Sequence, residues 1–174
     1  MRKGLVYASE TGNTKTHAFD IVNLLTSKNF EIDDPIDIAN IKINDLKEYD
    51  FLIFGSPTWN IGELQADLGE LFEEFNELDF KGKIVAVYGC GDQEGYPDTY
   101  QDAIGILAEK LMERGALLIG KTLPEGHQFE KSLALQKGKF LGLSLDNDNQ
   151  EDLTDERIKN WVDQIIDEFE KIKT

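Results

Sequence analysis

The stretch VYASETGNTKTHA, residues 6–18, runs from an apolar segment through a short turn of small and hydroxyl-bearing residues into a helix-like segment. An open α/β sheet binds anions at such a turn, because small residues let backbone amides converge and the helix N-terminus adds positive potential. The hydroxyls of Ser9, Thr11 and Thr14 would add neutral donors. The turn therefore favours a phosphate site without arginine, although an ordinary N-capped turn has a similar composition.

Four apolar runs along the chain are continuous rather than alternating, as strands buried on both faces should be. They cover residues 5–8, 51–54, 84–88 and 116–119. Helical periodicity occurs between and after them, in residues 14–27, 64–75, 100–114 and from Thr154, the predicted N-cap of the last helix, onward. This alternation predicts an α/β fold, with a parallel sheet covered by helices on both faces, in a single domain over residues 1–174.

Two segments are less regular. Residues 31–43 are predicted to hold a strand and a loop, with Pro35 limiting the pairing of that strand. Residues 120–139 separate the run at 116–119 from an alternating run at 140–145. They are interpreted as an excursion that splits the last strand.

Composition restricts the class of protein. The chain has 18 basic and 34 acidic residues among 174, a net charge of −16, which repels nucleic acid and anionic membranes and steers basic partners towards the protein. Solubility alone could also explain this charge. No apolar run approaches the roughly 18 residues of a membrane span, so a cytoplasmic protein without a targeting segment is expected. The single Cys90 excludes an internal disulfide and a cysteine-built metal site.

Several motifs in the sequence are misleading. Residues 115–122 read GALLIGKT and match a nucleotide phosphate loop, but their middle is itself a predicted strand and no helix follows. Residues 146–157 lack the glycine and the last glutamate of a calcium-binding EF-hand loop. The two histidines, His17 and His127, are predicted to be surface residues, and no serine lies in a nucleophile elbow. These features disfavour hydrolase and metal chemistry.

Two glycine-containing loops follow the second and third continuous runs. Residues 55–63 read GSPTWNIGE and residues 89–97 read GCGDQEGYP. Both loops leave the carboxyl ends of neighbouring strands, so both should reach the crevice of the phosphate turn. Each carries one aromatic residue, Trp59 or Tyr96, outside any helix face. The pair is suited to sandwiching a planar ring system next to a phosphate.

With these loops the chain resembles the flavodoxins, specifically those of the long-chain type. The resemblance rests on SETGNT (9–14), PTWNIGE (57–63), GDQ with GY (91–96), QDAIG (101–105), the split last strand and the entry into the final helix. It implies a five-stranded parallel sheet of order 2-1-3-4-5, with the last strand split by the excursion, and one non-covalently bound FMN.

By position, the resemblance implies a phosphate turn, two stacking aromatics and residues around the ring and ribityl chain. The implied FMN-binding residues are Ser9, Glu10, Thr11, Gly12, Asn13, Thr14, Pro57, Thr58, Trp59, Asn60, Ile61, Gly62, Cys90, Gly91, Asp92, Tyr96, Gln101 and Asp148. No catalytic residue and no metal ligand is implied. The peptide Asn60–Ile61 would change orientation on reduction and accept a hydrogen bond from the flavin.

The function expected from the resemblance is low-potential one-electron transfer between flavin semiquinone and hydroquinone. A negative protein with no nearby cation should disfavour the anionic hydroquinone and so lower the second potential. The partners expected are basic-faced redox proteins: an NADP-linked flavin reductase, iron–sulfur proteins, photosystem I or a nitrogenase reductase. Neither nucleic acid nor a membrane is expected as a partner. The protein is expected to be a monomer.

Three other functions stay open at this point. An FMN-dependent NAD(P)H or quinone reductase could share the fold, although no second dinucleotide-type loop is visible. A phosphoacceptor receiver domain would need acids where residues 8–9 and 55–56 read AS and GS. A cofactor-free binding module is the third possibility.

Overall fold

A mostly parallel sheet forms the centre of the molecule. The computed structural model describes residues 1–59 and 62–174. The strands are β1 (Lys3–Tyr7), β2 (Ile36–Asp37), β3 (Phe51–Trp59), β4 (Glu63–Leu64), β5 (Ile84–Cys90), β6 (Leu117–Ile119), β7 (Leu135–Gln136), β8 (Lys139–Phe140) and β9 (Leu143–Leu145). The helices are α1 (Asn13–Ser27), α2 (Ala66–Phe72), α3 (Asp102–Glu113), α4 (Asn147–Gln150) and α5 (Thr154–Lys173).

The strand order confirms the predicted topology. The parallel strands follow the order β2-β1-β3-β5-β6, which is 2-1-3-4-5 when the short antiparallel β4 is left aside. The last position of the sheet is split as predicted. Both β6 and β9 pair with β5, β6 along its first half and β9 along its second half.

Both faces of the sheet are covered, which explains the continuous apolar runs. On one face α1 and α5 pack around a core that includes Ile21, Tyr88 and Trp161. On the other face α2, α3 and the 3₁₀ segments Ile38–Asn40, Ile43–Glu48 and Glu73–Glu77 pack around Leu52, Phe75 and other apolar residues. Each central strand therefore buries successive side chains on opposite faces.

The excursion folds back onto the sheet edge. Within it β7 and β8 form an antiparallel hairpin, and Thr122 and Phe140 exchange backbone hydrogen bonds. The alternating run at 140–145 is therefore two strands rather than one. Its first residue belongs to the hairpin and only β9 rejoins the sheet.

Two local predictions need correction. The helix predicted from residue 64 begins at Ala66, because Leu64 pairs with Thr58 in the β3–β4 ladder. Thr154 is not an N-cap but the first residue of α5, since a 3₁₀ turn at Glu151–Leu153 leads into the helix and no side chain caps it. Residues 31–43 agree with their prediction, since the strand β2 follows Pro35 directly and is only two residues long.

No helix among the described residues is long and apolar enough to cross a membrane.

Candidate ligand-binding crevice

A crevice of about 220 Å³ opens where β1, β3 and β5 reach their carboxyl ends. This is the edge at which the strand order reverses, the usual position of a ligand in an open α/β sheet. The lining residues are Glu10, Thr11, Asn13, Pro57, Thr58, Trp59, Cys90, Gly91, Asp92, Tyr96, Thr99, Tyr100, Gln101, Asn147 and Asp148. All three predicted loops therefore meet in one cavity.

The phosphate turn contributes its middle residues to the crevice and uses the others to hold its shape. Glu10, Thr11 and Asn13 line the cavity. Ser9, Gly12 and Thr14 do not, although all three were predicted to contact the ligand. The Ser9 hydroxyl accepts a hydrogen bond from the Gly12 amide at 3.0 Å, which closes the turn in front of α1.

Thr14 points into the protein rather than into the crevice. It is 2% exposed, its carbonyl accepts a hydrogen bond from the Tyr88 hydroxyl at 2.7 Å, and its side chain bonds to Cys90. These contacts fix the start of α1 against β5. A rigid turn keeps its amides converging on one point, which is what phosphate binding requires.

A buried glutamine connects the turn to α2. Gln65 is 1% exposed, and its amide nitrogen donates to Glu10 at 2.7 Å while its amide oxygen accepts from the Leu68 backbone at 3.0 Å. Gln65 therefore caps α2 and holds the only charged residue of the turn in place. Nothing in the local sequence distinguishes Gln65 from a surface glutamine, so this role could not be predicted.

The two predicted aromatics lie in the crevice wall and remain exposed. Trp59 is 38% exposed and Tyr96 is 46% exposed, and both line the cavity. Large aromatic side chains usually bury most of their surface in a folded protein. Two such residues left exposed in one cavity are suited to a planar ligand.

Gln101 is anchored at the floor of the crevice and offers an unused acceptor. Its backbone adopts φ 57°, its side chain is fully buried, and its Nε2 donates to Ser144 Oγ and to the carbonyls of Gly89 and Leu145. Within the described part of the chain its buried Oε1 has no hydrogen-bond partner. A buried acceptor without a donor is costly unless a ligand or water supplies one.

A cluster of three carboxylates lies beside the crevice, with Asp92 and Asp148 in its lining and Asp146 fully buried. Oxygens of Asp92, Asp146 and Asp148 lie within 4.8 Å of one another. Partial burial disfavours the charge of Asp92, but hydrogen bonds from the Gly95 amide, Asn149 and the Glu94 amide lower its pKa. Burial, and then the charges of Asp92 and Asp146, raise the pKa of Asp148. No lysine or arginine occurs among the lining residues that the structure describes, so the crevice is negative.

Cys90 lies at the end of β5, where it is partly buried and lines the crevice. Burial raises the pKa of this thiol to about 12, although a hydrogen bond with Thr14 opposes the shift. The thiol is therefore protonated at neutral pH and acts as a small apolar group in the cavity wall.

Of the remaining predicted residues, Gly62 does not line the cavity. It has φ 75°, and a Cβ on it would lie 2.8 Å from Asp102 Oδ2. Asn60 and Ile61, including the peptide expected to reorient, lie outside the described residues.

Three lining residues were missed by the sequence analysis: Thr99, Tyr100 and Asn147. The first two precede α3 beside the predicted Gln101. Asn147 is the first residue of α4, and its Oδ1 lies 2.8 Å from His17 Nε2. The surface prediction for His17 is wrong, since its ring is 4% exposed.

His127 is half-buried rather than on the surface. Its Nδ1 lies 3.1 Å from the Tyr100 hydroxyl, and its ring packs edge-on against Phe140. Burial, followed by the charge of Arg157, lowers the pKa of His127 to about 4, so it is neutral at pH 7.

The fold and the crevice together define a doubly wound α/β protein with a site for a phosphorylated, planar ligand at its switch point. The flavodoxin family model matches residues 5–161. A flavodoxin of a Nostoc species is 48% identical over 95% of this chain and 96% of its own length, and one of Haemophilus influenzae is 45% identical over 95% and 94%. The crystal structure of Fusobacterium nucleatum flavodoxin bound to flavin mononucleotide superposes with a TM-score of 0.90 at 29% identity, covering 96% of this chain and 98% of that one. The chain belongs to the flavodoxin family.

Proposed function

We propose that the protein binds FMN non-covalently in this crevice and carries single electrons between other redox proteins. The observation that carries the proposal is the pair of exposed aromatics, Trp59 and Tyr96, in a cavity that ends at a phosphate-type turn. The family membership and the FMN-bound relative support the same function. FMN would supply the redox chemistry, because its ring can accept electrons one at a time.

The residues present fit FMN at its phosphate end. Amides of the turn at residues 9–14, the Thr11 hydroxyl and the N-terminus of α1 would hold the phosphate through neutral donors. Ser9 and Thr14 would fix the shape of the turn rather than contact the ligand with their side chains. The Ser9 hydroxyl already accepts from the Gly12 amide, and Thr14 already bonds to Tyr88 and Cys90.

The residues also fit the ring. Trp59 and Tyr96 would stack on it and exclude water, Pro57, Thr58, Cys90 and Gly91 would surround its edge, and Gln101 and Asp148 would reach its polar groups. The unpartnered Oε1 of Gln101 would receive a donor.

Electrostatics would set the direction in which electrons move. The crevice holds Glu10, Asp92 and Asp148, no cation lies among its described lining residues, and the whole chain carries −16. Additional negative charge on a bound ligand is therefore disfavoured. A cofactor that must become more negative on its second reduction is held at low potential, which makes the reduced protein a strong reductant.

The experiment is a titration of the apoprotein with FMN and, separately, with riboflavin. Binding is monitored through the quenching of flavin fluorescence. The neutral-donor turn predicts that FMN binds at least about a hundredfold more tightly, since several charge-assisted hydrogen bonds are lost with riboflavin. Thr11→Val should weaken FMN binding and leave riboflavin binding unchanged. A protein that binds neither flavin, or that binds both equally, would contradict the proposal.

We also propose that the partners are proteins with basic faces, of the kinds that the sequence analysis named: an NADP-linked flavin reductase and iron–sulfur proteins, with photosystem I or a nitrogenase reductase where these exist. The start of α2 lies next to the crevice, because Gln65 joins it to Glu10, and acids continue along α2 and the turn that follows it. Among them Glu70 and Glu74 are exposed. Such a surface would accelerate encounter with a positive partner.

The test is stopped-flow electron transfer to a basic protein acceptor, a c-type cytochrome, at several salt concentrations. The rate constant should fall as ionic strength rises. The double variant Glu70→Gln/Glu74→Gln should lower the low-salt rate about two- to tenfold. The control Glu156→Gln/Glu170→Gln removes the same charge from exposed positions on α5 and should have a smaller effect. Equal effects of the two pairs, or rates independent of salt, would refute this docking face.

The reductase alternative is not favoured, since the relatives reported above are flavodoxins. The long-chain type, the single domain, the monomeric state and the cytoplasmic location stay predictions.

A further inference from the structure

His17 is a buried histidine that lies beside the crevice without lining it. It is in the second turn of α1, four residues after Asn13, which does line the crevice. Residues four apart lie on the same side of a helix, so His17 lies one turn behind Asn13. A buried imidazole needs partners for its ring nitrogens, and those partners indicate its role.

Among the described residues, one ring nitrogen of His17 has a hydrogen-bond partner and the other has none. The Nε2 atom lies 2.8 Å from Asn147 Oδ1. The buried Nδ1 atom has no partner, because the Asp20 carboxylate is 3.9 Å away, beyond hydrogen-bond distance. An amide oxygen can only accept, so Nε2 carries a proton in this contact. His17 is therefore the donor and Asn147 the acceptor.

Asn147 is fixed through its neighbours in the chain as well as through its side chain. It is the first residue of α4, whose N-cap Asp146 accepts hydrogen bonds from the Asn149 and Gln93 amides, both at 3.1 Å. These bonds hold the backbone at the start of α4. The contact with His17 then sets the orientation of the Asn147 amide group, because its oxygen must face Nε2.

The Nδ2 of Asn147 is a donor that the protein leaves unused. It makes no hydrogen bond within the described part of the chain, although Asn147 lines the crevice together with Thr11 and Asn13 of the phosphate turn. Both sequence neighbours of Asn147 are aspartates, whose ionised side chains can only accept. A neutral donor at this position suits an anionic group of a ligand, which a third carboxylate would repel.

We propose that His17 is a positioning residue that orients Asn147, so that the Asn147 amide donates a hydrogen bond to the phosphate of bound FMN. The inference rests on the proposed function, because it assumes FMN in the crevice with its phosphate at residues 9–14. His17 does not line the crevice and acts only through Asn147. The neutral-donor site thereby extends from α1 to the start of α4, through a contact between residues 130 positions apart.

The test uses two substitutions at each position. His17→Leu removes the donor and keeps an apolar side chain to fill the buried site, whereas His17→Gln restores a side-chain N–H of similar reach. Asn147→Ala removes the amide group. Asn147→Asp keeps an acceptor for His17 but replaces the ligand donor by a negative charge. Asn23→Ala is the control, because Asn23 is exposed on α1 and does not line the crevice.

The affinities of each apoprotein for FMN and for riboflavin are measured by fluorescence titration. Wild-type protein that binds neither flavin would refute the proposed function itself. Given binding by the wild type, Asn147→Ala should weaken FMN binding about ten- to a hundredfold and riboflavin binding by less than about threefold, because only FMN offers a charged acceptor. Asn147→Asp should weaken FMN binding further by repulsion, and Asn23→Ala should change neither affinity. Equal losses for both flavins in Asn147→Ala would refute the phosphate contact.

The positioning role is tested by rescue and by a double variant. His17→Leu should weaken FMN binding about three- to tenfold, and His17→Gln should restore it to within about twofold of the wild type. In the Asn147→Ala background, His17→Leu should change FMN affinity by less than about twofold, since its effect passes through Asn147. The same loss in both backgrounds, or no rescue by glutamine, would refute the positioning role.

Nuclear magnetic resonance tests the direction of the hydrogen bond without any substitution. The ¹⁵N shifts of His17 in the wild-type protein should show a proton on Nε2. A ring protonated on Nδ1 alone would refute the donor role. This measurement, together with Asn147→Asp and His17→Gln, keeps the proposal falsifiable if His17→Leu does not fold.

Discussion

Residues of the same type within one motif can have different structural roles around the crevice. Thr11 and Thr14 are both hydroxyl residues of one turn, yet Thr11 lines the cavity and Thr14 is buried against Tyr88 and Cys90. Thr11 precedes α1, whereas Thr14 lies in the first turn of that helix, where its backbone carbonyl accepts from the Tyr88 hydroxyl. A motif therefore identifies the turn, and only the fold assigns roles to its members.

The buried thiol of Cys90 allows a prediction about pH and reactivity. Its pKa of about 12 lies above the ordinary value of ~8.5, so the reactive thiolate is scarce at pH 8. We expect native apoprotein to react with a disulfide reagent on the order of a thousandfold more slowly than the same protein in urea, as followed by absorbance.

The rate should rise about tenfold per pH unit up to pH 10, since the thiolate fraction grows in that proportion well below the pKa. Bound FMN should slow the reaction further, because Cys90 lines the crevice. A native thiol that reacts as fast as the unfolded one would show that the thiol is neither buried nor protonated.

At the scale of elements, the split last strand depends on close packing against α5. Trp161 donates its Nε1–H to the Gly120 carbonyl at 2.8 Å, just after β6 ends. A Cβ on Gly120 would lie 2.8 Å from Trp161 Nε1 and 3.0 Å from Ile165 Cγ2. The start of the excursion therefore packs closely against Trp161 and Ile165 of α5.

Substitutions at two glycines with the same φ can distinguish the cost of backbone strain from the cost of a steric clash. Gly120 and Gly138 both have φ 81°, but a Cβ on Gly138 would meet nothing within 4 Å. Gly138→Ala should cost only the left-handed backbone penalty, about 1–2 kcal/mol. Gly120→Ala should cost about 1–3 kcal/mol more, because α5 must also shift.

The measurement is urea unfolding of both variants. The free energy of unfolding must depend on urea concentration with the same slope in both for the comparison to hold. Equal losses of unfolding free energy would mean that α5 does not pack tightly on the start of the excursion.

Elements that depend on local pattern could be predicted, and those that depend on distant contacts could not. The strands β1, β3 and β5 were visible because burial on both faces requires continuous apolar runs. The later start of α2 was not, because it follows from pairing between β3 and β4. The burial of His17 was missed for the same reason, since its partner Asn147 is 130 residues away.

At the scale of the whole molecule, the sheet edge gathers three loops that are far apart in sequence. The position of the crevice could be predicted because parallel strands bring their carboxyl ends together. The contributions of Gln65, Tyr100 and Asn147 could not be predicted, since each reaches the site through contacts made only in the folded chain.

The net charge of −16 has the same sign as the carboxylates of the crevice. The field of the molecule and the local field of the site therefore both disfavour added negative charge. The reduction potential of a bound cofactor that changes charge would measure the combined effect of these two fields.

The central claim is that the protein holds FMN as a one-electron carrier at low potential. The most direct measurement is the visible spectrum of FMN-loaded protein during stepwise anaerobic reduction with dithionite. We predict two separate one-electron steps, with a blue one-electron-reduced form accumulating before the colour fades and a second potential well below that of free FMN. A single two-electron step, with no blue form and the potential of free FMN, would contradict the account.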